Sequence, residues 1–241
     1  MKQLLALGFF LLATLSAEAH FIWLLPPQRV PAKVGDQAQM IFSDNLEADG
    51  SVDIAKIKQT KLFVRSGKGE YTTAKIEAGK DFYRVIPEAK TKGLILVGGV
   101  CQYGVVTRGK GDPFLLMYYP QTLWPVEILR DELPTWHFKS TGKQALEIVP
   151  TESLNLKVLW QGKPAANLEV TLLVPGLDKK VERKTDESGQ VKLEEPKAGG
   201  YYGVLVKKVE SKEGKLNDET YKEIRHYATF TLLVPGRVSK K

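Results

Sequence analysis

The chain has 241 residues, of which 43% are hydrophobic and 26% are charged, as in an ordinary soluble globular protein. These proportions exclude collagen, a largely disordered chain and a membrane protein with many spans. The net charge of +7 is spread along the sequence, without a basic face interleaved with aromatic residues, so we expect no nucleic-acid partner. A single cysteine excludes an internal disulfide.

Residues 1–19 have the three regions of a secretory signal peptide. A basic start at Lys2 is followed by the apolar run 4–15, and a small-residue site ends at Ala19. The apolar run is too short to serve as a stable membrane anchor. We therefore expect cleavage after Ala19, which gives a mature chain that begins at His20 and lies in a periplasm or outside the cell.

Cleavage after Ala19 would free an α-amino group on His20. The amine titrates at about pH 8 and imidazole at about pH 6.5, so both can supply lone pairs near neutral pH. The amine nitrogen and Nδ1 of His20 would close a six-membered chelate ring around a metal ion. A third nitrogen from elsewhere would complete a T-shaped or square-planar set, which suits Cu(II) or Ni(II).

Residues 45–50 resemble the front of a calcium-binding loop, with glycine at the sixth position. The twelfth position, which requires a bidentate carboxylate, is Lys56. We interpret the segment as an acidic turn.

Short segments rich in β-branched and aromatic residues, bounded by Gly, Pro or Asp, recur along the chain and predict an all-β fold. A boundary near Pro150 divides this pattern into two units. We predict two Ig-like β-sandwich domains, 20–150 and 151–241, the second with a short basic tail. The predicted strands cover residues 61–65, 81–86, 93–106, 114–119, 146–150, 154–160, 168–174, 190–193, 201–209 and 225–234.

The chain contains only two other histidines, His137 and His226. His226 opens a strong strand pattern and is the preferred partner of His20 at a metal, while His137 lies among aromatic residues and is the third candidate. Ligands distant in sequence often meet in the folded protein. The alternative is that both histidines are ordinary packed or surface residues, because an isolated histidine is usually structural.

The usual catalytic motifs are absent from the sequence: no phosphate-binding loop, zinc-protease helix motif or nucleophile elbow has the required spacing. We therefore predict no catalytic residue. Cys101 lies in an apolar run, and we interpret it as a small buried hydrophobic residue instead of a reactive thiol.

Five motifs in the same order resemble an exported, largely uncharacterised family associated with nickel and cobalt uptake. The resemblance implies a periplasmic β-rich protein with an Ig-like or carboxypeptidase-regulatory-like C-terminal unit, which acts beside a membrane metal transporter. It also implies that His20 and His226 correspond to the family's starting histidine and its late His-Tyr-Ala-Thr strand. The motifs occupy residues 20–26, 146–150, 162–165, 185–189 and 225–231.

Together these observations predict a periplasmic or secreted binding protein for nickel, cobalt or copper, auxiliary to metal uptake or homeostasis. The predicted ligands are His20, His226 and His137. One alternative is a copper-dependent oxidase, because an amino-terminal histidine joined to a second histidine forms a copper brace. Another is a metal-free envelope or carbohydrate-binding module, for which an Ig-like unit with exposed aromatic residues would suffice.

Overall fold

The structure is a computed structural model that describes residues 20–29, 32–33, 35–88, 93–126, 139–151 and 155–235. Within these ranges no helix is long and apolar enough to cross a membrane. The described helix is a single 3-10 turn, Ile54–Ile57, and the strands are β1 Phe21–Leu25, β2 Ala38–Ser43, β3 Lys61–Ser66, β4 Tyr71–Thr72, β5 Ala74–Ala78, β6 Tyr83–Pro87, β7 Gly93–Val106, β8 Phe114–Val126, β9 Leu146–Pro150, β10 Asn155–Trp160, β11 Lys163–Pro164, β12 Glu169–Leu173, β13 Val181–Lys184, β14 Gln190–Lys192, β15 Gly200–Glu210, β16 Gly214–Leu216, β17 Glu219–Tyr221 and β18 Glu223–Val234.

Three sheets and one hairpin account for these strands. The largest sheet has eight strands in the order β13-β12-β15-β18-β8-β7-β3-β4. A second sheet has the order β1-β2-β6-β5, and in a third β10 pairs with β9, β11 and β14. The hairpin consists of β16 and β17.

The eight-stranded sheet lies between the other two sheets and buries a hydrophobic core on each face. The first core joins one face to the sheet that contains β1, through side chains such as Trp23 and Tyr118. The second core joins the opposite face to the sheet that contains β10, through side chains such as Leu156 and Tyr119. Because successive side chains of a strand point to opposite faces, the neighbours Tyr118 and Tyr119 belong to different cores.

The all-β prediction is confirmed, and each predicted strand overlaps an observed one. Strand β8 extends well beyond the predicted 114–119, and β1 and β2 were not among the predicted strands. The boundary near Pro150 stays a prediction. Strands from both sides of it share the eight-stranded sheet, because β8 and β18 pair in parallel from Phe114 opposite Glu223 to Thr122 opposite Thr231.

The long β7–β8 ladder contains one irregularity and one close approach. A register shift lies between Gln102 and Gly104, and Gly104 adopts a φ of 133°, a conformation that favours glycine. At Gly98 a Cβ atom would lie 2.4 Å from the ring of Phe63, so this glycine lets β3 pack its aromatic ring against β7.

Candidate metal centre

His20 directly precedes strand β1, and this segment is fixed to the eight-stranded sheet by three hydroxyl groups. The Tyr118 hydroxyl donates to the carbonyl oxygen of His20 at 2.9 Å. Thr229 donates to the carbonyl of Ile22 at 2.6 Å, and Thr231 donates to that of Leu24. The opposite edge of β1 pairs with β2. Both edges of the strand are therefore hydrogen-bonded, and the backbone at His20 is held in place.

The side chains of β1 also anchor this segment, because they are buried in the first core. All five residues of Phe21–Leu25 are buried, and the Trp23 indole donates a hydrogen bond to the Ser43 carbonyl at 3.1 Å. Trp23 packs at Gly203 of β15, where a Cβ atom would lie 3.2 Å from its ring. A run of consecutive buried apolar residues is typical of a strand covered on both faces.

The imidazole of His20 is partly exposed and its contact on one side is a carboxylate. Its Nε2 lies 3.1 Å from Oδ2 of Asp49, and the two side chains are 29% and 31% exposed. The ring lies 5.7 Å from that of Phe42, centroid to centroid. Because an ionised carboxylate only accepts hydrogen bonds, Nε2 is the nitrogen that carries the proton in this pair.

Asp49 is itself held by the turn that contains it. Its Oδ1 accepts hydrogen bonds from the Ser51 hydroxyl at 2.6 Å and the Ser51 backbone N–H at 2.9 Å. These bonds, with a smaller contribution from His20, lower the pKa of Asp49 to about 2. The carboxylate is therefore ionised at neutral pH and presents its second oxygen to His20.

The second nitrogen of the His20 ring is Nδ1. Among the described residues Nδ1 makes no hydrogen bond. Across the same described ranges, no three His, Cys, Asp or Glu side chains come together as a group that could hold a metal ion. Any metal at His20 would therefore need donors in addition to the side chains of the described residues.

His226 lies in a different environment, in which both ring nitrogens are engaged. Its Nδ1 lies 3.0 Å from the Tyr119 hydroxyl and its Nε2 lies 3.2 Å from Oε2 of Glu210. The side chain is 5% exposed. The Trp160 ring packs against the imidazole edge to face, with centroids 4.7 Å apart. Burial lowers the pKa of His226, so the neutral ring accepts from Tyr119 and donates to Glu210.

The structure does not bring His20 and His226 together. The contacts of His20 include Phe42 and Tyr118, which belong to the first core. The contacts of His226 include Tyr119, in the second core. The eight-stranded sheet lies between the two rings, so the expected pairing of these histidines at one metal ion is not what the fold provides. The physical reason is strand alternation: Tyr227, next to His226, is the residue that faces β1 and contacts Phe21.

The third candidate ligand, His137, lies outside the described residues. Cys101 is buried, as the sequence suggested, and burial raises the pKa of its thiol. A reactive thiolate is therefore disfavoured at this position.

An open cleft of about 470 Å³ lies beside the His226 cluster, lined among others by Trp160, Gln161, Lys163 and Lys208. The Lys208 ammonium lies 5.0 Å from the centroid of the Trp160 ring. A ligand that stacked on that face of the indole would have to displace the ammonium group.

No curated protein matches the chain. Residues 17–208 match a family described as a domain of unknown function, DUF4198. The chain belongs to the DUF4198 family. The matched segment contains His20 and Asp49 and ends before Glu210 and His226.

Sequence reasoning missed the residues that hold the N-terminal segment of this DUF4198 protein. The sequence places Asp49 only in an acidic turn, and the hydroxyl donors Tyr118, Thr229 and Thr231 only in strand patterns. An Asp two residues before a Ser does indicate a turn in which the carboxylate caps the backbone. No local pattern indicates that its other oxygen reaches His20, since the two residues are 29 positions apart.

Proposed function

We propose that this protein is exported, loses residues 1–19 and binds one divalent transition-metal ion at its mature N-terminus. His20 would supply two donors, the new α-amino group and Nδ1 of the ring. Nickel and cobalt are the metals suggested by the family resemblance noted in the sequence, and copper is the metal that nitrogen donors bind most strongly. The role is capture or delivery, beside a membrane transporter.

The observation that carries this proposal is the state of the His20 ring. Nε2 is occupied by Asp49, which leaves Nδ1 as the nitrogen with an available lone pair. Nδ1 is also the ring nitrogen that forms a six-membered chelate with the α-amine. A carboxylate that accepts from the other ring nitrogen is the usual surrounding of a metal-bound histidine.

His226 is not proposed as a ligand. Binding a metal through either of its nitrogens would break a hydrogen bond inside a buried cluster. A copper brace between His20 and His226 would require both imidazoles at the same metal, and His226 lies across the sheet from His20. His137 keeps its place as the candidate third donor.

The amine can be tested directly with two forms of the protein. One form begins at His20 with a free α-amino group, and the other is the same chain with that amine acetylated, which removes its lone pair. Titration calorimetry with Cu(II), Ni(II), Co(II) and Zn(II) should show at least one metal bound by the first form and an affinity about 100-fold lower in the second.

His226→Gln, prepared in the form that begins at His20, is the matched control. Its metal affinity should equal that of the unsubstituted protein, because the substituted side chain is separated from the N-terminus by the sheet. Binding of none of the four metals, or equal affinity with and without the acetyl group, would refute the proposed site.

A further inference from the structure

The carboxylate of Asp49 is more strongly oriented than that of a simple surface ion pair. Its two oxygens have separate partners: Oδ1 accepts from the backbone and hydroxyl of Ser51, and Oδ2 faces Nε2 of His20. A carboxylate fixed by its own turn presents the second oxygen in one direction. The side chain of His20 therefore meets an oriented acceptor.

The acidic turn and strand β1 are supported by the same position of the sheet. Trp23 of β1 and Leu46 of the turn both pack at Gly203, where a Cβ atom would lie 3.0 Å from the two methyl carbons of Leu46. Within the turn, the Asn45 side-chain oxygen accepts from the backbone N–H of Glu47 at 2.7 Å. The partners His20 and Asp49 are thus placed by elements that pack on a common point of β15.

The orientation of this pair determines which ring nitrogen can bind a metal. A neutral imidazole carries its proton on one nitrogen and a lone pair on the other. An acceptor at Nε2 retains the proton there and leaves the lone pair on Nδ1. If the proton moved to Nδ1, the lone pair would point away from the α-amine and the six-membered chelate could not form.

We propose that Asp49 is the positioning residue of the N-terminal metal site, holding the imidazole of His20 in the Nε2–H tautomer so that Nδ1 and the α-amine bind the ion together. This inference rests on the proposed function. It assigns a role to an acidic residue 29 positions from the histidine in the chain, and it makes the acidic turn a part of the site without making it a calcium loop.

The substitution Asp49→Asn gives a sharp test because it retains the shape of the side chain. The amide oxygen can still accept from Ser51, which turns the NH₂ group toward His20. An NH₂ group donates, so Nε2 must then accept, and the ring proton moves to Nδ1. Asp53→Asn is the matched control, since Asp53 also caps the backbone, at Ala55, and is exposed.

The first measurement is made without metal. Nitrogen NMR of histidine-labelled protein that begins at His20, recorded at about pH 8, distinguishes the protonated ring nitrogen from the unprotonated one; His20→Ala assigns the signal. We expect the Nε2–H form in the unsubstituted protein and in Asp53→Asn, and the Nδ1–H form in Asp49→Asn. An unchanged tautomer in Asp49→Asn overturns the inference.

The second measurement is the metal affinity of the same proteins by calorimetry with Cu(II) and Ni(II). Partners that orient a ligand typically contribute about 10- to 100-fold in affinity, and we expect Asp49→Asn to lose that much relative to Asp53→Asn. A loss without a change of tautomer would make Asp49 a direct ligand and overturn the positioning role. Affinity within about twofold of the control would also overturn it, while the proposed function would stand. Absence of binding by the unsubstituted protein would refute both.

Discussion

Two histidines in this molecule each lie beside a carboxylate, yet their surroundings differ in the feature that matters for ligand binding. His20 lies 3.1 Å from Asp49 and His226 lies 3.2 Å from Glu210. Their exposed fractions are 29% and 5%. The two distances are similar, but the rings differ in whether the second nitrogen is free to bind a ligand.

The two sites differ in the hydrogen bonding of the second ring nitrogen, Nδ1. In His226 it accepts from Tyr119, so the ring completes a buried chain of tyrosine, histidine and glutamate. In His20 it makes no hydrogen bond to a described residue. Buried polar groups are stabilising when every member has its partner, whereas a ligand needs a free lone pair. The comparison assigns a structural role to His226 and leaves His20 as the candidate ligand.

The largest expected effect of this difference is on stability. His226→Ala would leave the Tyr119 hydroxyl and Glu210 without their partner and create a cavity beside Trp160. We expect the free energy of unfolding to fall by about 3 kcal/mol. His20→Ala, at a partly exposed position, should cost less than about 0.5 kcal/mol.

Urea denaturation of both variants in the absence of metal checks this contrast. If His226→Ala does not fold, His226→Gln, which retains two hydrogen-bonding atoms, should give a smaller loss of the same sign. Equal losses for His20→Ala and His226→Ala would show that the two sites do not differ as the structure indicates.

A smaller loss of stability is expected on substituting the adjacent tyrosines Tyr118 and Tyr119, each of which donates a hydrogen bond to one of the two histidines. Tyr118 donates to the backbone of His20, and Tyr119 donates to the ring of His226. Each change to phenylalanine removes one buried hydroxyl and should lower the free energy of unfolding by about 1 kcal/mol. Only Tyr118→Phe should also weaken metal binding at the N-terminus, by a few-fold, because it loosens the backbone there.

Parallel denaturation and calorimetry on the two phenylalanine variants separate stability from metal affinity. A loss of metal affinity in Tyr119→Phe as large as in Tyr118→Phe would mean that the eight-stranded sheet does not isolate the two sites from each other.

The sequence predicts the fold better than the site because strands have a local signature. Residues 93–106 form a mainly apolar run that contains β-branched residues, and the observed strand has the same bounds. The segment 21–25 also carried a signal, since a short continuous apolar run is consistent with a strand buried on both faces. Its hydrogen bonds to Thr229 and Thr231 depend on tertiary packing and have no local signature.

The sequence indicates that His20 could bind a metal ion, but it does not indicate that Asp49 contacts the His20 ring. Strand alternation does say that His226 and Tyr227 face opposite sides of β18. It does not say which side receives β1, because that depends on how the sheets stack. The same limit applies to Asp49, whose turn is recognisable from Ser51 but whose contact with His20 follows from packing at Gly203.

The smallest expected effect is a difference in pH dependence. Burial holds the pKa of His226 below its ordinary value of 6.5, Glu210 opposes that shift, and Lys208 and Lys212 add to it. At a pH between the folded-state and unfolded-state pKa values of His226, the unfolded chain binds more protons than the folded one. The contribution of His226 to stability is therefore fully present above about pH 6.5 and is lost as the pH falls through the folded-state pKa.

The carboxyl group of Asp49 affects stability in a lower pH range. Its folded-state pKa of about 2 lies below the ordinary 3.8, so its contribution is present above pH 3.8 and is lost only as the pH falls toward 2. Urea denaturation of the metal-free protein between pH 7.5 and about 5 should therefore show a decline in the unsubstituted protein that is reduced in His226→Gln and retained in Asp49→Asn. A decline of the same size in His226→Gln would place its origin outside the buried cluster.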